Sequence, residues 1–200
     1  MSTLQKAIAF ANTTLTERIL PITAYAKLPT NLAVEITHHT TQLARAVSAS
    51  QLGDSTKYDV RESAIGAIDA YGKSFDLGAP QIAAAIVLSF GALIWPSMES
   101  VYGWIGQQPD VTEADARRSI VQTTVGQLRE VMVKFNDVVN NDDSTLPHPD
   151  LKDIPRKRLK DLPVEQQQTV QLELDKYLPV LIGHIDRFEE LLTLWVQEGC

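Results

Sequence analysis

Between Val164 and Gln197, the residues Leu174, Leu178, Leu181, Ile185, Phe188, Leu192 and Trp195 recur at alternating intervals of four and three. That spacing lays apolar side chains in one stripe down a helix, the pattern of a coiled-coil seam, whereas a half-buried strand would need a period of two. A second stripe lies in Thr112 to Asn140, formed by Val121, Val125, Leu128, Met132, Phe135 and Val139. Burying half of one stripe, at about 25 cal/mol per Å² of apolar area, is worth several kcal/mol that an isolated helix forfeits. The two helices must therefore pack, and as neighbours in the chain they are expected to run antiparallel.

The rest of the chain also reads as helix. The first helix is predicted from Thr3 to Lys27, with Leu4, Ile8, Leu15, Ile19 and Ile22 inward, Pro21 bending or dividing it and Pro29 closing it. Thr30 or Asn31 is expected to cap a second helix carrying Leu32, Ile36, Leu43 and Val47 and ending at Gly53. The third starts near Asp59, which stands with Glu62 in capping-box spacing, buries Ile65, Ile68, Tyr71 and Phe75, and stops at Gly78. The fourth, Gln81 to Trp95 with Pro80 in its first turn, is apolar all round, the mark of a central helix. Pro96 is expected to kink the chain or to start a short continuation to Ile105. Residues 141–163 carry Pro147, Pro149, Pro155 and Pro163 and read as a long polar connection. The expected fold is all-α, a single-domain bundle of five to seven helices over residues 1–200 around one hydrophobic central helix.

Composition narrows the function. A net charge of −7 disfavours general nucleic-acid binding, which needs an excess of Lys and Arg. The single cysteine, Cys200, allows neither an intrachain disulfide nor a cysteine zinc site and fits a reducing compartment. The start of the chain lacks the charged and apolar regions of a secretory signal, so a cytoplasmic place is expected, and the end at Cys200 leaves open that the chain is a piece of a longer protein. No Gly-x-Ser-x-Gly turn, phosphate loop or dinucleotide fingerprint occurs, and no cofactor is expected.

Three constellations remain. Glu35 and His38 stand in the Glu-x-x-His spacing of di-iron bundles, but a di-iron centre needs that motif twice and it occurs once. A mononuclear site joining Glu35 and His38 or His39 to His184 and an acid such as Glu189 is the metal-dependent reading, against which these are ordinary helix residues. Lys152, Arg156, Lys157, Arg158 and Lys160 are the densest positive charge and would contact an anion or lipid surface, unless Asp150, Asp153 and Asp161 balance them. Residues 77–98 are uncharged, yet the apolar stretch from Ile82 to Trp95 is 14 residues, short of the roughly 20 needed to span a bilayer.

Strong packing stripes without a catalytic constellation predict a non-enzymatic protein-protein interaction module, with a protein partner or a second copy bound at Phe188, Leu192 and Trp195. The alternatives are a membrane-active domain using residues 77–98 and 152–160, and the metal-dependent enzyme.

Overall fold

The computed structural model describes residues 2–51, 60–107, 114–123, 125–126 and 153–198, with side chains described for all of these except 12, 14, 15, 47–51 and 95–107. Every regular element in them is helical, and no strand occurs among the described residues. In chain order these are α1 (Thr3–Thr14), a π turn (Leu15–Ile19), α2 (Leu20–Tyr25), α3 (Thr30–Gln51), α4 (Val60–Gly72), a 3-10 turn (Lys73–Asp76) and α5 (Ala79–Gln107). They are followed by α6 (residues 114–123), a second 3-10 turn (Leu159–Asp161) and α7 (Val164–Glu198).

The predicted first helix is divided. Pro21 has no N–H to donate, and its ring would crowd the carbonyl four residues back. The widened turn Leu15–Ile19 sits directly before it, letting the chain continue as α2. That segment ends in a Schellman turn: Leu28 N–H donates to Thr23 C=O at 2.9 Å and Lys27 N–H to Ala24 C=O at 3.1 Å, with Lys27 in the left-handed region at φ 56°. The Gln81 amide ties the turn to α5 by donating to Ala26 C=O at 3.1 Å.

Other boundaries shift for local reasons. Thr30 is itself helical and Ala33 donates to the carbonyl of Pro29, so Thr30 belongs to the first turn of α3 rather than capping it. The third predicted helix leaves α geometry at Gly72, six residues before Gly78, and tightens into the 3-10 turn. Its buried face is Ala64, Ala67, Ala70 and Tyr71, whereas Ile65 is exposed, because small residues let α4 lie close against α3. Gly78, at φ 153°, instead accepts the first hydrogen bond of α5 from Ile82. The latter helix runs through Pro96 to Gln107 rather than breaking there. The predicted Asp59 cap, the Gly53 stop, the seam residues Leu128, Met132, Phe135 and Val139, and residues 141–152 lie outside the described residues.

As its composition requires, α5 is the centre. Ile82, Ala83, Ala84, Ala85, Val87 and Leu88 are all buried, and Ser89 is satisfied by donating to the Ala85 carbonyl at 2.8 Å. Gly91 faces the π turn, where a Cβ would come within 3.0 Å of Ile19. α3 packs on α5 and α4 on α3, while α7 packs on α1 and on α5. One apolar core joins α1, α3, α5, α6 and α7, and the α7 seam residues Leu174, Leu181, Ile185, Phe188, Leu192 and Trp195 are all part of it. Arg117 of α6 meets Trp195, near the end of α7: its guanidinium donates to the Trp195 carbonyl at 3.0 Å and lies 5.0 Å from the ring centre. Among the described residues no helix is long and apolar enough to cross a membrane.

Candidate functional site

The basic connection and the Glu35–His38 region meet in one place. Ile154 is buried against Ala64 of α4, with Leu43 and Ile68 around it, and this apolar contact pins the connection at Ile154 to the α3–α4 pair. Beside it lies an open cleft of about 760 Å³ lined by Glu35, His39, Asp69, Lys73, Asp76 and the connection residues Arg156 and Lys157, among others. Gly66 makes room for His39, since a Cβ there would lie 2.6 Å from its Nδ1.

The charges around this cleft are cross-tied. Lys73 donates to Glu35 at 2.5 Å, Lys157 to Asp76 at 2.9 Å, and Arg61 to Asp153 at 3.1 Å, which holds the Asp153 carboxyl below its ordinary range. Exposed pairs of this kind contribute about 0–1 kcal/mol each. Their effect is to fasten the connection to α4 and the 3-10 turn. Of the other predicted anion contacts, Arg158 lies 3.9 Å from Asp161, Lys160 stands in the second 3-10 turn, and Lys152 is outside the described residues. Two of the five residues that the sequence offers as an anionic-surface contact, Lys157 and Arg158, thus lie beside acids of the chain itself.

The candidate metal ligands do not converge. Glu35 is occupied by Lys73, and His38 packs edge-on against His39 with ring centres 5.1 Å apart. His184, on α7, lies against Phe10 of α1. Among the described residues no group of three or more His, Cys, Asp or Glu side chains is placed to hold a metal ion.

The predicted partner-binding residues sit inside. Phe188 and Leu192 are 0% exposed and Trp195 7%, so intrachain packing accounts for the seam and none of the three presents a face to a partner. The reason is that the stripe is used up: α7 packs on α1 and α5, and Ile120, Val121 and Val125 of the α6 region share the same apolar core.

The other side of α7 is where apolar residues meet solvent. Val164, Leu172, Val180, Ile182 and Leu194 are exposed large hydrophobic residues of this one helix, Leu172 at 64% and Leu194 at 47%. Seven exposed positions form a continuous row: Leu172, Lys176, Pro179, Gly183, Arg187, Glu190 and Leu194. Their spacing of four, three, four, four, three and four keeps them on one face of a helix with 3.6 residues per turn. A groove of about 540 Å³ follows its second half, lined by Asp186, Arg187, Glu189, Glu190, Thr193 and Leu194. Along the row Lys176 donates to Glu173 and Arg187 to Glu190, both at 2.8 Å. The sequence reading missed this row because the inner seam is stronger and dominates the pattern. The available signal was a second set of leucines, Leu172 and Leu194, out of phase with the first.

No family model, curated protein or solved structure matches this chain.

Proposed function

We propose that the chain is a non-enzymatic recognition module that docks another helix on the outer face of α7. The observation that carries this reading is the exposed row from Leu172 to Leu194 on a helix whose opposite side is already committed to the core. An amphipathic partner helix reads such a row through anchors three and four residues apart. α7 is 35 residues long, about 52 Å, and continues through Pro179, so it offers a long contact. The surface differs from the one expected at Phe188, Leu192 and Trp195, but the helix is the same. A cytoplasmic place for the module is proposed from composition alone, the lone cysteine being the ground.

The test is site-specific photo-crosslinking in the cell of origin. A photoreactive side chain at position 172 or 194 is expected to trap a defined protein, identified by mass spectrometry, while the same group replacing Val34, equally exposed on α3, traps none. Equal or absent trapping at all three positions would remove the reading.

A further inference from the structure

The row on α7 is its own mirror in sequence. Taking Gly183 as centre, Leu194 stands eleven residues after it and Leu172 eleven before, Glu190 and Lys176 stand seven either side, and Arg187 and Pro179 four either side. All seven residues are exposed. If two such helices cross antiparallel at Gly183, Leu172 of each faces Leu194 of the other, and Lys176 of each faces Glu190 of the other. In this register no charged residue of the row stands opposite a like charge: Lys176 meets Glu190, and Arg187 meets Pro179. A parallel pairing would instead set Lys176, Arg187 and Glu190 each against itself, which is repulsive at every charged position of the row.

The centre of the row adds a second argument. Glycine inside a helix is less favourable than alanine, so a mid-helix glycine needs a reason. Packing among the described residues supplies none, because a Cβ at Gly183 would meet nothing within 4 Å there. A crossing helix does supply one, since the missing side chain lets two backbones approach closely.

From these observations we infer that the chain pairs with a second copy of itself through the outer faces of two antiparallel α7 helices crossing at Gly183, with Lys176 and Glu190 exchanging partners across the twofold axis. The inference rests on the reading of α7's outer face as a docking surface and names its occupant. Such a pairing is isologous, so each contact occurs twice and a single substitution is felt twice. The row from Leu172 to Leu194 is about 33 Å long, which places the contact at the small end of specific interfaces, under about 1,200 Å² in all.

Sedimentation equilibrium of the full chain in low salt tests it, with Cys200→Ser throughout to exclude disulfide dimers. The parent is expected to be a reversible dimer. Lys176→Glu and Glu190→Lys, singly, are each expected to weaken it about 10-fold or more, and the Lys176→Glu/Glu190→Lys double variant to recover most of that loss because the swapped charges face each other again. Far-UV circular dichroism checks that all four remain helical. A parent that stays monomeric up to about 500 µM overturns the inference, and so does a dimer that neither single swap weakens or that the double swap fails to recover. If the parent is monomeric while positions 172 and 194 trap a different protein in cells, the self-pairing is overturned and the docking surface stands; if neither occurs, both fall.

Discussion

The imidazole of His184 packs against the ring of Phe10, centroids 5.4 Å apart and planes tilted by 40°, so the contact between α7 and α1 contains a titratable group. Burial, and secondarily the charge of Arg18, push the pKa of His184 below its ordinary value of 6.5, and its Nδ1 has no hydrogen-bond partner among the described residues. The folded chain therefore holds this histidine neutral where the unfolded chain would protonate it. Stability is unaffected well above pH 6.5, falls as the pH drops through the unfolded value, and levels off below the folded value. Urea unfolding at pH 7.5 and 5.5 should show a lower midpoint at pH 5.5, a difference that His184→Leu reduces. An NMR titration placing the His184 pKa at or above 6.5 would contradict this.

Lys27 takes a left-handed backbone at φ 56° in the Schellman turn after α2, a conformation that a residue with a Cβ adopts at a cost of about 1 kcal/mol and glycine adopts freely. Lys27→Gly should raise the unfolding free energy by about 0.5–1 kcal/mol. A thermal midpoint that falls would show that the Lys27 side chain contributes more than the strain removes.

The two sides of α7 should separate stability from recognition. Phe188→Ala empties a fully buried site shared by the main core and should cost about 3–5 kcal/mol, whereas Leu172→Ala, 64% exposed, should stay within about 0.5 kcal/mol of the parent. Denaturant midpoints at constant slope measure both.

Gly66 and His39 share one space at the α3–α4 contact. Gly66→Ala places a methyl 2.6 Å from His39 Nδ1, so the imidazole, which lines the same cleft as Gly66, must move aside. The substitution is expected to be destabilising by about 1–3 kcal/mol with His39 present and much less in the His39→Ala background. Equal costs in both backgrounds would mean that the helices move apart instead.

The fold was legible wherever a long apolar period was unopposed. The stripe of α7 and the all-round apolar run of α5 each located a helix and its depth in the core. What stayed hidden has physical causes. Ala64, Ala67 and Ala70 carry too little apolar surface to stand out beside Ile65, so these three went unread and Ile65 was placed inside, while Ile68, Tyr71 and Phe75 do pack inward. The π turn before Pro21 and the positive φ at Lys27 are backbone adjustments that no side-chain pattern records. At the candidate site the aromatic and leucine anchors expected to meet a partner, Phe188, Leu192 and Trp195, are buried instead, because a seam strong enough to suggest a partner helix was satisfied by core residues of the same chain. Burial depends on which neighbours arrive, and a single chain's periodicity marks the face without naming them.

The most direct test of recognition through the outer face of α7 is sedimentation velocity of the Leu172→Glu/Leu194→Glu chain beside the parent. Both leucines are exposed, so the variant should unfold within about 1 kcal/mol of the parent while sedimenting as a monomer at concentrations where the parent is a dimer. A variant that remains folded and dimerises as well as the parent would contradict the account.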